Sequence, residues 1–138
     1  MALEDDRVKA ARRILAAIET GDEATLRAVY AHDAVQVEHP NRLKPKGDRR
    51  EIDKMMADLK RGKAMLRSEH YDVLEATASG ESVALQVKWT GVLNIPVGAL
   101  QPGDSMICES GIFLTFQGDR VVEQHNYDCF GDFLTPKG

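Results

Sequence analysis

The chain has 138 residues, of which 43% are hydrophobic and 29% are charged, and its formal net charge at pH 7 is -4. This balance is typical of an ordinary globular protein and excludes intrinsic disorder, which needs fewer apolar residues and a larger charge imbalance. Because the length is within the usual range of one domain, we expect a single domain over residues 1–138.

The same composition excludes several classes of protein. No run approaches the ~20 uncharged apolar residues that cross a bilayer, and an acidic protein is poorly suited to binding nucleic-acid phosphates. Residues 1–6 are acidic and carry no apolar run, so we predict no secretory signal, no membrane partner and a cytoplasmic location. The two cysteines, Cys108 and Cys129, are too few for a disulfide framework, and Cys108 is expected to be a packed core thiol.

The first third of the chain predicts helices. Apolar residues recur at helical spacing from Val8 to Ile18, and Gly21 is suited to end that helix because glycine readily adopts the left-handed conformation. Asp22 can cap a second, short helix, and Tyr30 is expected on the apolar face of that helix.

A short strand and a third helix are predicted next. Residues 34–38 predict a strand that Pro40 closes, and the basic segment 42–50 is expected to be a solvated loop. Residues 48–51, Asp-Arg-Arg-Glu, have the spacing of a capping box and are expected to open the third helix, which Gly62 ends or frays.

The remainder predicts four long strands, and in the first of them His70 and Tyr71 are expected on the outer face of the sheet. The strands cover residues 67–78, 82–95, 105–117 and 120–128. Helices followed by a meander of strands form the α+β pattern, in this chain a curved antiparallel sheet wrapped on the N-terminal helices. We expect a cone with an internal pocket, and concave, largely apolar pockets usually hold small molecules.

Three segments occur in a distinctive order along the chain. Residues 17–22 are Ala-Ile-Glu-Thr-Gly-Asp and residues 30–35 are Tyr-Ala-His-Asp-Ala-Val; residues 37–40 are Val-Glu-His-Pro; residues 116–128 are Phe-Gln-Gly-Asp-Arg-Val-Val-Glu-Gln-His-Asn-Tyr-Asp. Together they resemble the nuclear-transport-factor-2-like superfamily, which includes ketosteroid isomerase, limonene-epoxide hydrolase and SnoaL-like polyketide cyclases. The resemblance implies a cystatin-like cone and a homodimer through the outer face of the sheet, which also explains strands that are apolar on both faces.

The reacting residues of ketosteroid isomerase are not preserved. Where that enzyme has an aspartate as general base before the matching proline, this chain has His39, and its two oxyanion donors match Ile14 and Ile112. Because each missing donor of this kind costs roughly 10²–10³ in rate, we do not expect ketosteroid isomerase activity.

The other two relatives match different parts of the chain. Epoxide hydrolysis is not expected, because the two carboxylates of the water-activating Asp-Arg-Asp set match Asn126 and Trp89 and its arginine matches Val87. The SnoaL-like cyclases are most similar at residues 89–91 and 101–104, and their strand-end aspartate matches Asp128.

His39 and Asp128 are the candidate catalytic residues. The family match places His39 at the entrance to the pocket, where a histidine can act as general base near neutral pH. The alternative for His39 is a surface histidine that precedes a proline. Asp128 either orients His39, acts as an acid or base, or caps the turn after its strand.

Tyr30, Trp89, Glu109 and Asn126 are the candidate ligand-binding residues. A buried Tyr30 hydroxyl needs a hydrogen-bond partner, and Trp89 either lines the pocket or fills the core. Glu109 is an acid if it faces the cone, but it can equally face solvent or a partner subunit, because strand alternation leaves its direction open. Asn126 shares one face of the last strand with Asp128.

These residues predict a protein that binds a small, largely apolar organic molecule, and an isomerase or cyclase if His39 removes a proton next to a carbonyl. The alternative is a non-catalytic ligand carrier or protein-interaction module of the same fold. No metal or organic cofactor is implied, and no nucleic-acid partner is expected.

Overall fold

The structure, a computed structural model, describes residues 2–136. The elements follow in the order α1 (Ala2–Thr20), α2 (Glu23–Val29), β1 (Tyr30–Glu38), β2 (Asp48–Glu51), α3 (Ile52–Met65), β3 (Leu66–Ser79), β4 (Ser82–Leu93), β5 (Ser105–Gln117) and β6 (Arg120–Phe130). The α+β class is confirmed, with one strand more than the sequence predicted. Within this part of the chain no helix has the length and apolar character needed to span a membrane.

The two N-terminal helices are separated as predicted. Gly21 has a φ of 70°, a conformation that glycine adopts without strain, and the chain turns there. The Asp22 carboxylate accepts hydrogen bonds from the backbone N–H of Thr25 at 3.1 Å and from its hydroxyl at 2.6 Å, so Asp22 caps α2. Tyr30 is not on α2: its backbone is extended, and it is the first residue of β1, which begins four residues earlier than predicted.

The capping box predicted at residues 48–51 is wrong. These residues form β2, which pairs antiparallel with residues 35–38 of β1. The Asp48 carboxylate accepts from Lys44 at 2.9 Å, from Lys54 at 2.6 Å and from the backbone N–H of Arg49 at 2.8 Å, so it is not available to cap a helix. The helix α3 starts only at Ile52 and continues through Gly62.

All six strands form one sheet in the order β2-β1-β6-β5-β4-β3. The β1–β6 pair is parallel and the other pairs are antiparallel. Bulges interrupt the pairing of β1 with β6, β3 with β4 and β5 with β6, and bulges bend and twist the strands that carry them. The sheet is therefore curved, and we call the side packed on the helices the concave face and the opposite side the convex face.

The main core lies between the concave face and the helices. On β5 alternate residues are buried, from Met106 through Cys108 and Ser110 to Phe116, whereas Ile107 and its alternate neighbours are exposed or half-buried. Cys108 is the packed core thiol that the sequence predicted, and burial raises its pKa to about 12. Helix residues complete this core, among them Ile14, Leu15, Leu26, Met55 and Met56.

Candidate functional site

The concave face carries a half-buried carboxyl group at Asp128, near the end of β6. Its Oδ1 atom accepts a hydrogen bond from the Ser110 hydroxyl at 2.7 Å, and that hydroxyl lies 3.3 Å from the sulfur of Cys108. Burial raises the pKa of Asp128 and outweighs the Ser110 hydrogen bond, while Glu38 and Arg50 act in opposite directions, upward and downward. One oxygen of Asp128 is thus fixed in place, and the carboxyl group binds a proton more readily than an exposed aspartate does.

A chain of polar side chains continues from Tyr30 along the concave face of β6. The Tyr30 hydroxyl donates to Oε1 of Gln124, and the Gln124 amide donates to Oδ1 of Asn126 at 2.9 Å. Burial raises the pKa of Tyr30, so its hydroxyl stays a neutral donor. Within residues 2–136 no protein group accepts from the amide nitrogen of Asn126, which leaves its two N–H donors for another partner.

Tyr71 lies on the concave face, so the prediction that it faces outward is wrong. Val73 pairs with Val87 and Glu75 pairs with Gln86, so a bulge at Leu74 shifts the register of β3. One extra residue inverts the alternation of a strand, so Tyr71 and Val73, before the bulge, pack against the same core as Ala76 and Ala78 after it.

The hydroxyl of Tyr71 is a donor without a protein acceptor in the described part of the chain. Burial raises the pKa of Tyr71 most, and the nearby groups of Glu69, Asp128 and Tyr30 raise it further. The hydroxyl therefore stays protonated and remains available as a donor. His70, the preceding residue, is exposed as the sequence predicted.

Trp89 lies on the concave face, where it is held from two sides. Its indole N–H donates to Oε1 of Glu69 at 3.0 Å, and the other Glu69 oxygen pairs with Lys63 on α3 at 3.0 Å. Its ring covers Gly91, where an added Cβ would lie 2.5 Å from the ring. The Phe130 ring meets the Trp89 ring edge-on, with centroids 6.5 Å apart. These contacts place Trp89 in the wall of the cone.

Arg50 is a buried residue that the sequence placed in a solvated loop. Its guanidinium donates to Glu38 at 2.6 Å, to Asp58 at 2.7 Å and to Gln36 at 3.1 Å, and its side chain is only 10% exposed. It faces inward because strand β2 alternates, so that Arg49 points to solvent and Arg50 to α3. In a run of basic residues the sequence pattern does not reveal which arginine is buried.

A cavity of about 140 Å³ lies on the concave side, beneath α3. Tyr30, Gln36 and Arg50 supply its polar wall, and Met55 and Leu59 are among its apolar neighbours. Asp128 does not border it and lies farther along β6. A cavity near 150 Å³ accommodates a molecule such as benzene, so this one is suited to a single-ring ligand.

The convex face carries an open groove of about 750 Å³. Its floor is at Gly111, and Gln86, Glu109, Phe113 and Tyr127 are among its walls. Glu109 therefore faces outward, which was one of the two directions that the sequence left open.

His39 lies at this convex face and not in the cone. Its Nε2 atom lies 2.8 Å from Nδ1 of His125, and its ring stacks on Tyr127 with centroids 4.1 Å apart. His125 in turn hydrogen-bonds through Nε2 to the Glu123 carboxylate at 2.9 Å. The register of β1 explains the position, because Gln36 and Glu38 point to Arg50 on the concave side.

The structure thus divides the predicted site residues between two faces. Asp128, Asn126, Tyr30 and Trp89 belong to the concave face, whereas His39 and Glu109 belong to the convex face. His39 and Asp128 are not brought together, since odd-numbered and even-numbered residues at this end of β6 face opposite sides. Tyr71, Ser110 and Arg50 are the concave-face residues that the sequence did not single out.

Among residues 2–136 no three His, Cys, Asp or Glu side chains are grouped in a way that would hold a metal ion. The polar groups of the concave face are instead hydroxyl, amide and carboxyl groups, which recognise the oxygen atoms of organic ligands.

Comparison with known proteins extends these observations. Residues 11–124 match the model of the SnoaL-like domain. No curated protein matches the sequence significantly.

Solved structures with the same fold are numerous but distant in sequence. The chain is similar to IdmH, a candidate polyketide cyclase from Streptomyces antibioticus, with 20% identity, a TM-score of 0.76 and coverage of 88% of this chain and 91% of IdmH. A candidate SnoaL-like polyketide cyclase from Jannaschia sp. CCS1 has 17% identity and a TM-score of 0.75, over 93% of this chain and 88% of that chain. A Catenulispora acidiphila protein with a ketosteroid isomerase-like fold, in complex with trimethylamine, has 18% identity and a TM-score of 0.66, over 86% and 83%. These likenesses confirm the predicted fold.

Proposed function

The chain belongs to the SnoaL-like domain family, and on this basis we propose that it binds a small, uncharged carbonyl compound on the concave side of its sheet and moves a proton on that compound through Asp128. The observation that carries the proposal is the half-buried Asp128 carboxyl, whose pKa is raised and whose Oδ1 atom is held by Ser110. Similar structures described as candidate polyketide cyclases support a ligand with carbonyl groups.

Two donors without a protein acceptor are suited to recognise the ligand. The Tyr71 hydroxyl and the Asn126 amide are on the same concave face as Asp128. A carbonyl oxygen accepts a hydrogen bond from either kind of donor. On this face the carboxyl groups of Glu38, Asp58, Glu69 and Asp128 outnumber the cations Arg50 and Lys63, which pair with the first three, and this balance disfavours an anionic ligand.

The proton transfer follows from the same arrangement. Ionised Asp128 takes a proton from the carbon next to the carbonyl, the electrons of that C–H bond form a C=C bond, and the carbonyl oxygen gains negative charge. Donors placed at that oxygen stabilise the charge as it develops. Protonated Asp128 then returns the proton to carbon, at the same or a different position, which regenerates the carboxylate. The role predicted for His39 and Asp128 together is thus proposed for Asp128 alone.

A non-catalytic ligand carrier is the second candidate function. The position of Asp128 outside the 140 Å³ cavity favours it, because a ligand confined to that cavity is bound without meeting the carboxyl group. Proton exchange separates the two functions, since a carrier binds the ligand and leaves its C–H bonds unchanged.

The test uses 4-phenylcyclohexanone in D₂O, because its phenyl ring suits the cavity and its ketone ring is long enough to extend beyond the cavity along β6, where Asp128 lies. NMR measures the exchange of its hydrogens next to the carbonyl, and ligand-induced line broadening measures binding. We expect the wild type to accelerate exchange above the buffer rate and Asp128→Asn to lose about 10²–10⁴ of that acceleration, the usual contribution of a general acid or base. Tyr71→Phe is expected to lose about 10²–10³ through its missing donor.

Asparagine at position 128 keeps an oxygen for the Ser110 hydroxyl, so the wall of the cone is preserved in the variant. The matched control is Glu109→Gln, which removes a carboxylate from the convex face. With this variant the hydrogens of the ketone are expected to exchange at the wild-type rate. Binding without exchange assigns the protein as a carrier, and neither binding nor exchange overturns the proposed site.

We further infer that the convex face binds a second copy of the chain. Ile107, Phe113 and Tyr127 are 42%, 48% and 48% exposed there, an apolar surface that monomers rarely present in one patch. The Phe113 and Tyr127 rings form a ridge beside the groove at Gly111, and a ridge next to a groove is self-complementary under two-fold symmetry. Basic Lys88 lies between acidic Asp72 and Glu109 across the strands, so two identical faces do not repel strongly.

Light scattering during size-exclusion chromatography tests this inference. We expect a mass twice the 15.3 kDa of one chain for the wild type and a single-chain mass for Phe113→Asp. Leu3→Asp, which replaces a similarly exposed side chain on α1, is expected to remain dimeric. A monomeric wild type would contradict the inference.

A further inference from the structure

Three side chains on the convex face form a hydrogen-bonded chain with a fixed direction. Glu123 can only accept, so Nε2 of His125 carries the hydrogen of their 2.9 Å contact. In neutral His125 this leaves Nδ1 as an acceptor. His39 therefore donates from Nε2 across the 2.8 Å contact between the two imidazoles.

These three hydrogen-bonded side chains support the aromatic ridge of the proposed dimer face. The His39 ring stacks on Tyr127 with the ring planes 7° apart, and the Tyr127 ring meets the Phe113 ring edge-on with centroids 5.7 Å apart. The hydrogen bond from His39 to His125 fixes the His39 ring in that stack. The position of the ridge is therefore coupled to the contact between the two histidines.

Protonation of both histidines abolishes that contact. Doubly protonated imidazoles present only N–H donors, so Nε2 of His39 and Nδ1 of His125 would face each other as two donors on two cations. One added proton is tolerated because Glu123 offsets its charge, but a second is not. A desolvated interface increases the cost of this charge.

The other charged groups near the pair are few. Glu123 belongs to β6 itself, Arg49 and Glu51 point outward from β2, and Glu109 and Lys88 lie across the groove on β5 and β4. Of these, only Glu123 contacts His125, so the two imidazoles are the groups touching the ridge that an added proton converts from neutral to cationic.

We propose that the dimer across the convex face is controlled by pH, with the His39–His125 hydrogen bond holding the face in its binding form and protonation of both histidines releasing the second copy. This inference rests on the proposed dimer and names its regulation. Its partner is a second copy of the chain, and its signal is mild acidification.

Sedimentation velocity of the full chain at pH 7.5 and pH 5.0 tests the proposal. We expect the dimer dissociation constant of the wild type to rise roughly tenfold or more at pH 5.0. His125→Asn keeps an amide oxygen where Nδ1 accepts from His39, leaves the His39 ring stacked on Tyr127 and cannot be protonated, so its dimer is expected to persist at pH 5.0. His32→Gln removes an exposed histidine elsewhere and is expected to dissociate like the wild type.

The outcomes separate the two proposals. A wild type that is monomeric at pH 7.5 overturns the dimer, and the pH control with it. A wild-type dimer that is equally tight at both pH values overturns the pH control alone, as does dissociation of His125→Asn at pH 5.0. Far-UV circular dichroism at pH 5.0 verifies that the released monomer is folded, and an unfolded monomer would also count against the proposal.

Discussion

The concave and convex faces of the same sheet hold their polar groups in different ways. On the concave face Arg50, Gln124 and Glu69 are each fixed by neighbours on other elements, and among residues 2–136 the Tyr71 hydroxyl and the Asn126 amide are donors on this face without a protein partner. On the convex face the two hydrogen-bonded histidines lie beside exposed aromatic rings. The comparison teaches that the interior network fixes the shape of the cone, whereas the outer network can respond to solvent. Four predictions test that difference, from the largest expected effect on stability to the smallest.

The first prediction compares the two arginines of β2. Arg50→Met is expected to lower the free energy of unfolding by roughly 3–5 kcal/mol, because it leaves the Glu38 and Asp58 carboxylates without their buried partner. Arg49→Met, on the opposite side of the strand, is expected to change it by about 0.5 kcal/mol or less. Urea unfolding followed by circular dichroism measures both. Equal effects would mean that the two faces do not differ as described.

The second prediction compares two glycines. At Gly91 an added Cβ would lie 2.5 Å from the Trp89 ring, so Gly91→Ala is expected to displace that ring and to cost roughly 1–3 kcal/mol. Fluorescence of Trp89, the sole tryptophan, reports the displacement. At Gly62 a Cβ meets no atom within 4 Å, and Gly62→Ala within α3 is expected to stabilise by about 0.5–1 kcal/mol. An unchanged emission spectrum in Gly91→Ala would show that the Trp89 ring is not held against Gly91.

The third prediction concerns the pH dependence of Asp128→Asn. Burial raises the pKa of Asp128, so its ionised form is less favourable in the folded than in the unfolded chain. The contribution of Asp128 to stability is therefore fully present below the unfolded pKa and is lost as pH rises through the folded pKa. Asp128→Asn is expected to gain stability relative to the wild type between pH 3 and pH 7, measured by urea unfolding at each pH. A relative loss over this range would show that the carboxylate is stabilised in the fold.

The fourth prediction concerns the stability of the monomer when the histidine chain is cut. His125→Asn in a Phe113→Asp background is expected to alter the free energy of unfolding at pH 7.5 by about 0.5 kcal/mol or less, because the His125 side chain is one-third exposed. Thermal unfolding compares it with Phe113→Asp alone. A loss of several kcal/mol would place His125 in the folding core and not in an adjustable surface network.

Much of the fold could be predicted from local sequence patterns. The Asp22 cap, the Gly21 turn and the long strands near residues 105–117 and 120–128 are where the sequence placed them. The prediction for residues 48–51 failed because the capping pattern is also compatible with a short edge strand, and pairing with β1 decided between them. Arg50 could not be recognised as buried, since its acidic partners come from distant parts of the chain.

The candidate site was predicted only in part. Asp128, Asn126 and Tyr30 were identified by position and chemistry, and the structure places all three on the concave face. Tyr71 was assigned to the outer face together with His70, although consecutive residues of a strand face opposite sides. The β3 bulge, which leaves no signal in the residue pattern, sets which of the two faces inward.

The sequence by itself determined the periodicities of the chain, and hence the helices, most strands and the α+β class, because helix and strand spacings are local properties. Only the tertiary structure decided which face each polar residue occupies. A shift of one residue in strand pairing moves every side chain to the other side of the sheet, and pairing partners and bulges set that shift. For this reason His39 and Asp128, close in the expected pocket, lie on opposite faces of one sheet.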